Sequence, residues 1–161
     1  MIAKHLVCIT CKKRFELGPM FEGCPACREL GTGSAVEGDY DYEAGRSGLD
    51  ISRWLAGPCG GWKYGDLMPV SDPGGAVTLG EGDTPLTRVH TLSRESGLEN
   101  LYIKNETCNP TWSFKDRGTV AGVQHALSLG YRRIGTVSTG NMAVSVAAYG
   151  ARAGLQTFVL I

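Results

Sequence analysis

The stretch Arg133-Ile134-Gly135-Thr136-Val137-Ser138-Thr139-Gly140-Asn141 runs into Met142-Ala143-Val144-Ser145-Val146-Ala147-Ala148-Tyr149-Gly150-Ala151-Arg152 and then, past Gly154, into Leu155-Gln156-Thr157-Phe158-Val159-Leu160-Ile161. The first and last pieces are short apolar runs of strand length, and the middle piece is Ala/Val-rich at helix length. Strand, helix and strand at this spacing imply a parallel βαβ unit. One helix earlier the same logic holds. Val120, Val123 and Leu127, with Ala121 and Ala126, form an apolar stripe at helical spacing, and Gly130 stands where a C-cap belongs. The expected fold class is therefore α/β with a parallel sheet.

In such sheets ligands collect at the carboxyl ends of strands, where the next helix begins. Ser138, Thr139, Gly140 and Asn141 occupy that place. Small side chains, a glycine and free helix-start amides suit an anion, and a carboxylate fits. An ordinary polar turn is the alternative reading of this loop taken alone. No Gly-x-Gly-x-x-Gly and no Walker loop is present, which disfavours dinucleotides and ATP.

Upstream, Asn109-Pro110-Thr111-Trp112-Ser113-Phe114-Lys115-Asp116-Arg117-Gly118 carries a loop into a helix. Ser113 is the expected N-cap, with Asp116 as the acidic partner of a capping box. Lys115 then falls in the first turn, where the helix dipole disfavours a cation. An amine held there is a better nucleophile, as a lysine that binds an aldehyde cofactor as an imine must be. A surface lysine answering Asp116 is the plainer alternative. Leu79-Gly80-Glu81-Gly82-Asp83-Thr84-Pro85-Leu86 reads as a tight loop whose two glycines allow unusual backbone angles and whose Thr84 offers a hydroxyl.

The 161 residues carry 16 basic and 16 acidic side chains, so no charge excess points to nucleic acid. No apolar run approaches the ~20 residues that cross a bilayer, and no secretion signal is read at the N-terminus. A cytoplasmic location with no membrane partner is expected. Glycine, 23 of 161, is about twice its usual ~7% share, which points to many tight connections.

Four of the six cysteines form two pairs, Cys8-x-x-Cys11 and Cys24-x-x-Cys27, with twelve residues between them. Two such knuckles place four thiolates around one tetrahedral Zn²⁺. A redox dithiol and two disulfides are the rival readings; without a secretion signal, metal is favoured. Four protein ligands leave no open position, so the zinc is structural. Residues 1–30 are thus expected to be a zinc ribbon whose folding energy comes from the metal. Residues 31–75 read as a linker and docking segment. Tyr40 and Tyr42 alternate as an edge strand would, and Asp50–Leu55 is a short helix ended by Gly57-Pro58. Trp62, Tyr64, Leu67 and Met68 before Pro69 serve as apolar anchors. Residues 76–161 form the α/β domain, with Thr91–Ser96 a short helix and Leu101–Lys104 a strand.

Together the Gly80–Leu86 loop, the Asn109–Gly118 block, Ser138–Asn141 and the Ala147–Gly154 helix end resemble the threonine synthase family of pyridoxal-phosphate enzymes, with the tryptophan-synthase-β-like (fold-type II) architecture. An N-terminal zinc ribbon resembles that of some archaeal and bacterial members. The resemblance implies that Lys115 carries pyridoxal phosphate and that Asn141 hydrogen-bonds the 3′-hydroxyl of its ring. Ser138, Thr139 and Gly140 would hold the substrate α-carboxylate, and Thr84 and its loop would close near the substrate. The implied reaction converts O-phosphohomoserine and water to threonine and phosphate. Cysteate synthase, threonine dehydratase and cysteine synthase share the fold and stand as alternatives, as does a non-catalytic zinc-ribbon module. Trp112 stands where glycine is frequent in the family, and Met142 where Thr or His is common. Because the family's phosphate loop lies further on, the chain is expected to be the N-terminal part of a longer enzyme, inactive alone and homodimeric when complete.

Overall fold

The computed structural model describes residues 3–46, 48–57, 60–68, 70 and 77–161. Two compact units emerge. One takes in the chain to Ala56 and the described part of Tyr64–Ser71. The other takes in Gly57–Lys63 and the described part of Asp72–Ile161. Pro58, Cys59 and Pro69, and the expected boundary at residues 75 and 76, lie outside the described residues.

In the first unit β1 (His5–Cys8) is the centre of a three-stranded antiparallel sheet in the order β2-β1-β3, with β2 over Arg14–Phe15 and β3 over Val36–Asp39. β3 corrects the sequence reading, which ended the ribbon at residue 30 and took the next stretch for linker. Cys8 pairs with Val36 and His5 with Asp39, so the ribbon's sheet runs to Asp39. A second correction concerns Tyr42. It opens a helical turn, α2 (Tyr42–Arg46), rather than extending an edge strand, because the Asp41 carboxylate accepts the Ala44 amide at 2.9 Å and starts that turn. The short helix expected over Asp50–Leu55 forms as α3 (Ile51–Ala56), with Asp50 accepting the Ser52 amide at 2.9 Å. The second knuckle opens α1 (Pro25–Glu29), with Cys24 at its N-cap and Cys27 in its first turn.

The second unit holds the parallel pair. β6 (Arg133–Val137) and β7 (Gln156–Leu160) pair in parallel from Arg133↔Gln156 to Val137↔Leu160, connected through α6 (Asn141–Arg152). Before them come the antiparallel pair β4 (Leu86–Arg88) and β5 (Tyr102–Lys104), joined by α4 (His90–Ser96), and then α5 (Lys115–Ser128). Both long helices end as expected. Gly130 and Gly154 take φ of +79° and +68°, and Tyr131 and Leu155 return their amides to Ala126 and Gly150. That is the 6→1 bond of a Schellman motif.

The core gathers Val77, Val120, Val123, Tyr149 and Leu155, with Trp62, Leu127 and Ile134 packed against it. The Trp62 indole donates to the Val77 carbonyl at 2.8 Å, so this side chain is an anchor, as expected. Gly150 sets how closely α6 lies on the sheet. A Cβ there would stand 2.1 Å from the Thr157 hydroxyl and 3.0 Å from Ile134. Among the described residues no helix is long and apolar enough to cross a membrane.

Candidate active site and metal centre

α5 begins at Lys115, with Phe114 in the N-cap position. The Ser113 hydroxyl accepts the Lys115 amide at 3.2 Å, so it caps from one residue further out than expected. No capping box forms. Asp116 is fully buried and turns its carboxylate elsewhere, accepting from the Thr111 amide at 2.8 Å, from the Thr111 hydroxyl, and from the Ser145 hydroxyl of α6 at 2.6 Å. Lys115 is half-buried, and its Nζ lies 4.6 Å from the centre of the Phe114 ring. Trp112 has a φ of +60° and is 81% exposed. The left-handed angle is one that glycine adopts without strain, which accounts for a glycine preference at this position.

The loop of Gly80–Leu86 is held on three sides. Gly80 and Gly82 take φ of +88° and +98°, and Asp83 +45°. Glu81 is fully buried and accepts from the Thr78 hydroxyl, from the Leu79 amide at 3.1 Å, and from the Tyr149 phenol of α6 at 2.8 Å. Burial, and then the neighbouring Glu81 carboxylate, push the Tyr149 phenol above its ordinary range, so it remains a donor. Gly82 gives its amide to the Asn109 side chain at 3.0 Å. Thr84 is buried, and its hydroxyl donates to Glu106 at 2.8 Å while accepting from Arg117 at 3.1 Å. Thr84 thus ties its loop to the first turn of α5.

Glu106 is the hub of that tie. Arg117 reaches both its carboxylate oxygens in a fork, Nε at 2.7 Å and Nη2 at 2.8 Å, and Asn109 adds a third donor at 3.0 Å. Arg117 first, then Thr84 and Asn109, hold the Glu106 carboxyl down at about 2 against the opposing effect of burial. A folded pKa below the unfolded value gives stability that is present above the unfolded pKa and lost as pH falls through the folded one. Acid should therefore loosen the Thr84 loop between about pH 5 and pH 2. The melting temperature of Glu106→Gln should fall less over that window than that of the parent; an equal fall would refute the assignment.

Ser138, Thr139, Gly140 and Asn141 lie where the sequence places them, between β6 and α6, with Ser138 half-buried and the other three exposed. Ser138 accepts the Gly140 amide at 3.2 Å. Gly140 is the N-cap and has no side chain to cover the first-turn amides, which leaves the helix start able to receive an anion. The N-terminal halves of α5 and α6 lie side by side, the first turn of each meeting the second turn of the other. Ser145 bridges to Asp116, its oxygen is 2.8 Å from the Thr119 hydroxyl, and that hydroxyl faces the Met142 sulfur at 3.7 Å. Lys115 and Asn141 therefore belong to two helix starts that are fastened together. A partly exposed amine at one and an uncovered helix start at the other fit pyridoxal phosphate as an aldehyde to be captured and a polar ring to be oriented.

The sequence reading missed the fastenings, which are Glu106, Asn109, Arg117, Ser145 and Tyr149. One signal was present: Ser145 and Tyr149 stand four apart in an otherwise Ala/Val helix, so their hydroxyls share one face.

In the first unit the sulfurs of Cys8, Cys11, Cys24 and Cys27 all lie within 4.8 Å of one another. Cys8–Cys27 and Cys11–Cys24 are each 3.7 Å apart. Four sulfurs at ~2.3 Å from a tetrahedral Zn²⁺ stand about 3.8 Å apart, so the set fits that ion. The Thr10 and Cys11 amides both point to the Cys8 sulfur at 3.4 Å. The Ser34 hydroxyl, 3.2 Å away, does most to draw the Cys8 thiol down to about 5, whereas burial first of all pushes Cys27 up to about 12.

Residues 77–161, more than half of the chain, match the family described as pyridoxal-phosphate dependent enzyme. The chain is similar to the threonine synthase of Methanocaldococcus jannaschii, 40% identical over 96% of this chain and 36% of that protein. It is 37% identical to the threonine synthase of Methanosarcina acetivorans over 98% of this chain and 36% of that protein. The threonine synthase of Halalkalibacterium halodurans is 48% identical over 62% of this chain and 28% of its own length. The chain thus spans about a third of the length of these relatives. With a lysine at one helix start, an uncovered helix start fastened beside it and this match across the α/β unit, the chain belongs to the pyridoxal-phosphate dependent enzyme family.

Proposed function

We propose that the full-length protein is a threonine synthase, which converts O-phosphohomoserine and water to threonine and phosphate. The observation that carries this is the pair of fastened helix starts bearing Lys115 and Ser138–Asn141, in a chain whose relatives are named threonine synthases. In the reaction phosphate leaves Cγ of the substrate and water adds at Cβ. Pyridoxal phosphate, when bound, supplies the electron sink for charge developing at the substrate carbons. Lys115 would hold the cofactor through its aldehyde carbon, and its amine would carry protons between substrate carbons. Asn141 orients the ring through its 3′-hydroxyl. Ser138, Thr139 and Gly140 receive the α-carboxylate at the open start of α6. Thr84 keeps the Gly80–Leu86 loop against α5 and so closes the substrate side. Cys8, Cys11, Cys24 and Cys27 hold a structural Zn²⁺. The full-length protein is cytoplasmic and homodimeric.

Supplied with O-phosphohomoserine, the full-length protein should release phosphate and threonine in equal amounts. Turnover of phosphoserine with sulfite instead would move the assignment to cysteate synthase, and no turnover of either would refute the reading.

A further inference from the structure

We propose that Ser145 is a positioning residue for Lys115, acting through the buried carboxylate of Asp116. The inference rests on the threonine synthase reading and adds to it a residue that touches neither cofactor nor substrate.

Asp116 follows Lys115 directly and is fully buried, as is Ser145. Its carboxylate is fastened from two elements. Thr111 donates an amide and a hydroxyl from the loop before α5, and Ser145 donates at 2.6 Å from the second turn of α6. A buried carboxylate with a missing donor is costly, so the first turn of α5 has one register against α6. Ser145 stands four residues after Asn141, one helical turn along. The bond therefore fixes the spacing between the Lys115 backbone and the turn that holds the cofactor ring. A lysine on a long flexible stem needs such a fixed base, because a displacement near 1 Å can cost about 10²-fold in rate.

Thr119 provides the control. Its hydroxyl lies 2.8 Å from that of Ser145, within hydrogen-bond distance, yet the donors to Asp116 are Thr111 and Ser145. In the full-length protein loaded with pyridoxal phosphate, Ser145→Ala should lower kcat on the order of 10- to 100-fold with KM within about threefold. The visible circular dichroism of the bound cofactor, near ~420 nm, should fall by about half or more, since it reads how the chromophore is held. Asp116→Asn, which keeps the side chain's shape, should act in the same direction. Thr119→Val should lower the melting temperature and leave kcat and the dichroism in place. A lowered melting temperature alone in Ser145→Ala would overturn the inference, as would equal spectral losses in Thr119→Val. If Ser145→Ala does not fold, Asp116→Asn decides by the same readings. A parent protein that stays colourless with cofactor would instead refute the parent reading, a distinguishable result.

Discussion

On the proposal that Cys8, Cys11, Cys24 and Cys27 hold zinc, its removal should unfold the β1–β3 sheet outright. Among the described residues its buried cluster is Cys8, Cys24 and Cys27, with Phe15, Ala26 and Val36 packed around it. The larger apolar side chains of this segment do not help, since Leu17, Phe21 and Leu30 are 49%, 72% and 82% exposed. At ~25 cal/mol per Å² of buried apolar surface, so few contacts cannot offset about 1–2 kcal/mol of backbone entropy per residue. Apparent binding energies of about 10–16 kcal/mol for structural zinc can. Four thiolates whose sulfurs lie within 4.8 Å of one another repel unless a cation lies between them. Metal analysis of the whole chain should give one zinc per chain, and Co²⁺ replacement should give the visible spectrum of tetrahedral thiolate ligation. A chelator should abolish amide-exchange protection at Leu6 and Val7, whose strand pairs with both neighbours. Protection that survives complete removal of the metal would sink the assignment, and Cys24→Ser should behave as the chelator does.

The βαβ half of the fold was legible in the sequence for local reasons. β6, α6 and β7 announce themselves by period and length, and Gly130 and Gly154 mark the helix ends by a backbone angle that favours glycine. β3 was not legible. Val36-Glu37-Gly38-Asp39 is acidic and carries a glycine, so its composition reads as linker. It becomes a strand because β1, nearly thirty residues earlier, offers it an edge, and pairing at that distance leaves no local trace. The site divides in the same way. Lys115 and Ser138–Asn141 could be picked out because their chemistry depends on a helix start, which sequence marks. Glu106, Asn109 and Ser145 escaped because their partners, Arg117, Gly82 and Asp116, lie 11, 27 and 29 residues away. Asp116 was seen and misassigned. Its spacing from Ser113 fits a capping box, but the hydroxyls of Thr111 and Ser145 together offer a buried carboxylate more than the single Ser113 amide does.

Lys115→Ala should abolish covalent cofactor capture while leaving the fold in place, and this pairing of effects is what separates a cofactor lysine from a surface one. The side chain is half-buried, and its amine lies against the exposed ring of Phe114. The fastenings of the two helix starts use Asp116 and Arg117, not Lys115. Truncation at residue 115 therefore removes no donor from Glu106, Asp116 or Glu81, and alanine is a favourable residue in a helical first turn. The melting temperature of the full-length protein should move by a few degrees at most. Function should respond far more strongly. The amine is the only group assigned both to capture the aldehyde and to carry protons between substrate carbons, so its loss should cost on the order of 10³-fold or more in kcat. The absorbance near ~420 nm, and its loss on borohydride reduction, should be present in the parent and missing in the variant. Asn141→Ala makes the comparison sharper, because it should keep the borohydride-sensitive band while weakening cofactor affinity. A Lys115→Ala protein that still shows the reducible band would assign capture to another amine, and Lys63 and Lys104 are already engaged, with Asp83 and with the Thr84 carbonyl.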